Sequence, residues 1–116
     1  MTSELAPVQA LKLWHDVALD LVRDEDADLS ARQTAILLTV YLESPPHTVR
    51  GLAARLGVTK PVITRALNTM GALDLVKRRR DEKDRRNVLI QRTVQGSLFL
   101  DRLAQKIIKR SRELQP

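Results

Sequence analysis

The sequence predicts a mainly α-helical fold with one small β-hairpin, and three observations predict it. Apolar residues recur at intervals of three and four near both ends of the chain, which is helical spacing. Between residues 48 and 72 a short helical run, a glycine and a second helical run follow one another. Then "LVKRRRDEKDRRNVLI", residues 75–90, sets two β-forming stretches around a charged turn.

The first helix is expected over 5–23, where Leu5, Val8, Leu11, Trp14, Ala18, Leu21 and Val22 share a face and Trp14 reads as core. "RDEDAD" interrupts that pattern as an acidic loop. Ser30 with Gln33 forms a capping box for a helix over 30–43 that buries Ile36, Leu37, Val40 and Tyr41. "SPP" at 44–46 ends it, because proline cannot continue the hydrogen-bond ladder. Thr48 caps the short helix "VRGLAARL", which Gly57 closes by accepting a left-handed backbone. Thr59 caps the next helix, and Pro61 is tolerated in its first turn. Val62, Ile63, Ala66, Leu67 and Met70 form its apolar side, so Lys60, Pro61, Thr64, Arg65 and Asn68 face outward. Strands follow at 75–80 and 86–93 around the turn Asp81-Glu82-Lys83-Asp84. A last helix, 94–113, carries Leu98, Phe99, Leu100, Leu103, Ile107 and Ile108. By its parts the whole, 1–116, is a single winged helix-turn-helix domain, with the helix-turn-helix at 48–72 and the wing at 75–93.

Composition narrows the function. At 43% hydrophobic and 29% charged residues the chain is globular, and with aromatics at 3% its core must come from aliphatic side chains. No apolar run approaches the ~18 residues of a membrane span, and "MTSELAPVQ" lacks the order of a signal peptide. With no cysteine either, disulfides and thiolate metal sites are excluded and a cytoplasmic address is expected. No cysteine nucleophile, glycine-rich phosphate loop or histidine–carboxylate set suggests catalysis, so no enzyme, cofactor or metal site is expected. His15 and His47 have no partner at ligand spacing.

The net charge of +6 is unevenly spread: −5 over residues 1–47, +8 over 48–92 and +3 over 93–116. Lys77, Arg78, Arg79, Arg80, Lys83, Arg85 and Arg86 repel one another unless an outside polyanion compensates them. Nucleic acid fits ahead of an anionic membrane, since a cationic ribbon on duplex DNA gains by releasing condensed counterions. Thr59, Lys60, Pro61, Thr64 and Arg65 are the candidates for the major groove, and Arg65 could read a guanine edge or clamp a phosphate. Thr48 and Arg50 are candidates for phosphate, and Lys83, Asp84, Arg85 and Arg86 make up the wing's share. The plain reading of any one charge is a solvated face, and Asp84 could be only a turn residue.

Leu52-Ala53, Leu56-Gly57-Val58, Thr59, Thr64-Arg65, Asp84-Arg85-Arg86 and Thr93 to Gly96 together resemble the MarR family of bacterial transcription regulators over roughly residues 30–100. The resemblance implies a sequence-specific DNA-binding regulator, acting as a repressor on double-stranded DNA. It implies Arg86 in the minor groove with Asp84 holding its guanidinium. It also implies a homodimer built with the flanking helices 5–23 and 94–113, and a small aromatic or lipophilic effector. The pattern departs from the family at Arg92, where an apolar residue is usual, and at Asp74, where a glycine is. The sequence also ends at Pro116, where the family usually continues into another long helix, which implies a short variant. Two competing readings are a protein-interaction module for an acidic partner and a non-specific architectural DNA-binding protein.

Overall fold

The computed structural model describes residues 4–115. In chain order the elements are α1 (Pro7–Arg23), α2 (Ala31–Leu42), α3 (Val49–Leu56), α4 (Lys60–Ala72), β1 (Val76–Arg80), β2 (Val88–Arg92) and α5 (Val94–Arg112). They divide into two compact units, residues 29–100 and the pair of segments 1–28 and 101–116.

The 29–100 unit is built on aliphatic burial. Ile36 and Leu37 from α2, Leu52 from α3, and Ile63, Leu67 and Met70 from α4 are all within 1% of full burial. Each such side chain contributes roughly 1.5–3 kcal/mol over an exposed position. β1 and β2 pair antiparallel, Val76 opposite Arg92 through Arg80 opposite Val88. Val76 and Ile90 are buried, so the base of the hairpin is anchored in the core while Lys77 to Arg80 remain exposed. The segment before α3 adds a third strand-like contact: Ile90 N–H donates to the His47 carbonyl at 2.8 Å, and Thr48 bridges Leu89.

The local signals act largely as their chemistry demands. Ser30 Oγ accepts from Gln33 N–H at 3.1 Å while Gln33 Oε1 accepts from Ser30 N–H at 2.8 Å. Thr48 Oγ1 accepts from Gly51 N–H at 3.0 Å, and Gly57 ends α3 at φ 70. Thr59 differs. It stands at the N-cap position of α4, but its side chain makes no capping bond. A cap side chain bonds the second or third helical N–H, and here the second helical residue is Pro61, which has none.

Tyr41 is half-buried, not core, because its hydroxyl has work at the rim. Its oxygen accepts from Thr93 N–H at 2.9 Å, and its one hydrogen is shared between the carbonyls of Leu75 and Thr93 at 3.1 and 3.0 Å. One phenol thus ties α2 to the start of β1 and the start of α5. Thr93 Oγ1 in turn caps α5 by accepting from Gly96 N–H at 2.9 Å. Gly96 lies so close beneath that a Cβ there would overlap the Tyr41 hydroxyl and the Leu75 carbonyl.

Both departures from the family pattern find physical reasons in this unit. Asp74 sits at φ 58, the left-handed backbone that glycine usually takes and that Asp tolerates better than most residues. Its N–H donates to the Gly71 carbonyl at 3.0 Å, and Leu75 N–H reaches Met70 at 2.9 Å. Arg92 lays its guanidinium 5.7 Å over the Tyr41 ring, and its Nε donates to the Val40 carbonyl at 3.1 Å. Carbonyls in the last turn of a helix have no intrahelical partner and attract cations. An arginine therefore suits this position.

The other unit is held differently. α1 begins at Pro7, two residues later than the apolar spacing suggests, with Gln9 Oε1 accepting from Ala6 N–H at 2.9 Å. Along α5, Arg102, Lys106 and Arg110 recur every four residues and share one face. Arg102 chelates Asp26 at 2.7 and 2.8 Å, Arg110 chelates Asp20 at 2.8 and 2.7 Å, and Lys106 pairs with Asp24 at 2.7 Å. The guanidinium bonds hold the Asp20 and Asp26 carboxyls below the usual carboxylate range. The buried Asp16 is answered by Lys12, whose Nζ lies 2.7 Å away. By contrast Val8, Leu11, Trp14 and Val22 are 67–80% exposed, so the apolar face of α1, Trp14 included, is not core among the described residues.

Candidate nucleic-acid interface

On α4 the buried Ile63, Ala66, Leu67 and Met70 fix the helix's rotation. Lys60, Pro61, Thr64, Arg65 and Asn68 are consequently all exposed, as elimination requires. Thr59 is exposed too, and its hydroxyl, having no capping bond, is free to face a ligand. A polar cleft of about 280 Å³ lies beside this face between the start of α2 and α4. Arg32 and Arg65 both line it, with Ser30, Gln33 and Thr69.

The link into α3 is more constrained. Arg50 is exposed, whereas Thr48 is half-buried and spends its hydroxyl oxygen as the α3 cap. What Thr48 can offer outward is its hydroxyl hydrogen. Arg55 braces the turn from the side, its Nε 3.0 Å from Glu43 Oε1.

The wing loop is longer than a four-residue turn and runs from Asp81 to Asn87. Two successive turns explain the length. Asp81 Oδ1 accepts from Lys83 N–H at 2.9 Å, and the Asp84 carbonyl accepts from Asn87 N–H at 2.9 Å. Asn87 closes the loop with its own carbonyl on Asp81 N–H at 3.0 Å, and Arg80 Nη1 donates to the Arg85 carbonyl at 2.5 Å. Arg86 therefore belongs to the loop and not to β2. Lys83, Arg85 and Arg86 are all exposed there.

Asp84 does more than turn the chain. Its Oδ1 accepts from Arg86 Nε at 3.0 Å and its Oδ2 from Arg86 Nη2 at 3.1 Å, a fork-on-fork pair. Arg86 N–H adds a bond to Oδ1 at 3.2 Å. These bonds, the side-chain ones first, hold the Asp84 carboxyl below the usual carboxylate range. Arg86 itself remains 90% exposed, so the carboxylate aims the guanidinium without covering it.

One contact had no signal in the sequence. Arg78 of β1 donates through Nη2 to Asn68 Oδ1 on α4 at 2.5 Å, joining the helix's outward face to the wing. Nothing about either residue alone announces this pair; it exists because the α4–β1 turn brings them together. As for other chemistry, the described residues contain no group of three or more His, Cys, Asp or Glu that could hold a metal. None of the described helices is long and apolar enough to cross a membrane.

A short helix, a glycine turn and a second helix beside an arginine-tipped ribbon form an arrangement that recurs among known proteins. The model of the MarR family matches residues 27–87, more than half of the sequence. The chain belongs to the MarR family. Solved structures agree with this at the level of fold. A mutant of S. aureus MepR superposes with a TM-score of 0.76 at 18% identity, over 95% of this chain and 82% of that one. The transcriptional repressor CouR, bound to a 23-mer DNA duplex, gives 0.72 at 21% identity over 96% and 84%. CouR from Rhodococcus jostii RHA1 bound to p-coumaroyl-CoA gives 0.64 at 23% identity over 89% and 69%. Among curated proteins none matches the chain. In this MarR-family chain the wing and α4 lie in one compact unit and are joined directly by a side-chain bond.

Proposed function

We propose that this chain is a sequence-specific DNA-binding transcription regulator, a repressor that acts as a homodimer on a pseudo-palindromic site in the cytoplasm. α4 enters the major groove with Thr59, Lys60, Pro61, Thr64 and Arg65, and Arg86 enters the adjacent minor groove. Thr48, Arg50, Lys83 and Arg85 contact phosphates. The observation that carries this reading is the exposed Arg86 held by Asp84 beside a cationic reading helix. A guanidinium held along one edge through Nε and Nη2 loses little freedom on insertion, and narrow A·T tracts concentrate the negative potential that attracts it.

The flanking helices 5–23 and 94–113 supply the dimer contacts in this reading, which the uncovered Val8, Leu11 and Trp14 support. Two α4 helices then lie roughly 34 Å apart along the duplex. A small aromatic or lipophilic effector would tune the binding, a reading supported by CouR, which is seen bound to p-coumaroyl-CoA with its aromatic acyl group. Selection of bound duplexes from a random pool tests the whole: a symmetric consensus with half-sites one turn apart is expected. In gel shifts on that consensus Arg86→Ala weakens binding roughly tenfold or more, and Arg65→Ala changes base preference. Equal binding of selected and random duplexes by the wild type would leave only a non-specific architectural role.

A further inference from the structure

The bond between Arg78 and Asn68 has a chemical direction. A guanidinium carries donors and no acceptor, so the atom it meets on Asn68 must be the carboxamide oxygen. That leaves the Asn68 NH₂, with two donors, as the end able to face a ligand. Asn68 is exposed on the same side of α4 as Thr64, one helical turn before it. An unconstrained asparagine in the major groove pairs bidentately with adenine, its oxygen accepting from N6 and its nitrogen donating to N7. The oxygen keeps a second lone pair, but the bond turns it toward Arg78 on β1, so the carboxamide presents its nitrogen to a base edge and not the oxygen–nitrogen pair that adenine requires.

We propose that Arg78 sets the hydrogen-bond polarity of Asn68, so that this position of α4 offers donors only and selects a base edge made of acceptors, N7 and O6 of guanine. Arg78 is here a positioning residue: it acts on base choice through Asn68. Three features favour a fixed arrangement over a chance contact. Val76, two residues before Arg78, is 2% exposed and anchors the strand. The turn between α4 and β1 is held by the Asp74 and Leu75 N–H bonds. Thr93 Oγ1 donates to the Asp74 carbonyl at 2.6 Å, fastening the same turn from the other strand's end.

This inference rests on the DNA-binding reading, and one experiment separates their failures. Duplexes are selected from a random pool in parallel by the wild type, Arg78→Ala, Arg78→Lys and Asn68→Asp. The wild type should enrich a consensus with guanine at one pair of each half-site. Arg78→Ala frees the carboxamide to turn, and adenine at that pair should gain roughly tenfold relative to guanine. Arg78→Lys keeps a donor for the Asn68 oxygen and should restore the wild-type preference. Asn68→Asp keeps the bond to Arg78 but replaces the free donors by an acceptor, so guanine should lose its advantage there. A uniform loss of affinity in Arg78→Ala with every base preference unchanged overturns the inference, for Arg78 then only attracts the backbone. A wild type that enriches no consensus overturns the DNA-binding reading itself.

Discussion

The two compact units of this chain solve the same problem by opposite means. Residues 29–100 carry thirteen Lys and Arg against five acids, a net of +8, yet spend none of the cations in their core. Aliphatic side chains from three helices and the hairpin hold that unit together, and the charge is left facing out. The segments 1–28 and 101–116 carry seven cations against nine acids and use several of them as a ladder of ion pairs, while Val8, Leu11 and Trp14 stand uncovered. The unit with a finished apolar core offers charge to a partner. The unit cross-linked by charge offers apolar surface. Each exposes what it does not need for itself, and the proposed DNA-bound dimer would use both surfaces.

The contrast can be broken most severely at Gly96. Alanine there meets the Tyr41 hydroxyl and a backbone carbonyl, neither of which can retreat without dismantling the junction of α2, β1 and α5. Overpacking of this kind costs about 3 kcal/mol or more, and thermal unfolding followed by circular dichroism should show it. A smaller loss would mean that the junction yields.

Charging the other unit should leave folding nearly intact and change assembly. Leu11→Asp combined with Trp14→Asp is expected to convert a dimer into monomers in sedimentation velocity, with the melting of the 29–100 unit within a few degrees of wild type. A dimer that persists would place its contacts elsewhere than α1.

Tyr41→Phe sharpens the comparison more gently. It removes the acceptor for Thr93 N–H and the donor for two carbonyls without altering shape. Leaving a part-buried N–H unsatisfied costs about 1–3 kcal/mol, readable in urea titrations.

Acid should distinguish the units with the smallest effect. Asp20 and Asp26 have folded-state pKa values below their unfolded ones. Their stabilising contribution is therefore complete above about pH 4, the unfolded value, and is lost as pH falls through the lower folded values. The carboxylates of the ladder all lie in the unit that contains α1, whereas α2, α3 and α4 lie in the other. Below pH 4 the amides of α1 should lose hydrogen-exchange protection before those of α2, α3 and α4 do. Simultaneous loss would show that the ladder contributes nothing separate.

Much of this architecture could be read from short-range chemistry. Ser30 with Gln33, Thr48 and Gly57 announce helix ends because a cap needs only residues within one turn of itself. The outward set on α4 followed from its apolar set, since a helix has just one way to face a core. Asp84 and Arg86, two residues apart, were within the same reach, although their pairing came from family likeness and not from spacing. What the chain did not reveal lies at long separation. The Tyr41 hydroxyl meets a residue 52 positions away, so nothing local marks it as a hub instead of core. Arg78 and Asn68 are ten apart on different elements. Trp14 read as core because periodicity shows that a face is apolar and says nothing about what covers it. Thr59 has the residue type and position of a side-chain cap, yet it makes no capping bond, and the second helical residue, Pro61, has no N–H to offer it.

The left-handed residue between α4 and β1 has a consequence for how such a protein could change. Asp74 sets the angle at which the ribbon departs from the helix, and both faces of that corner are pinned by hydrogen bonds. The interval between α4 and the ribbon is therefore written in a few backbone torsions, with the Arg78–Asn68 bond spanning it. In the proposed reading, substitutions along α4 rewrite which letters are read while the ruler stays the same length. A single inserted residue at this corner would do the reverse, keeping the letters and losing the measure.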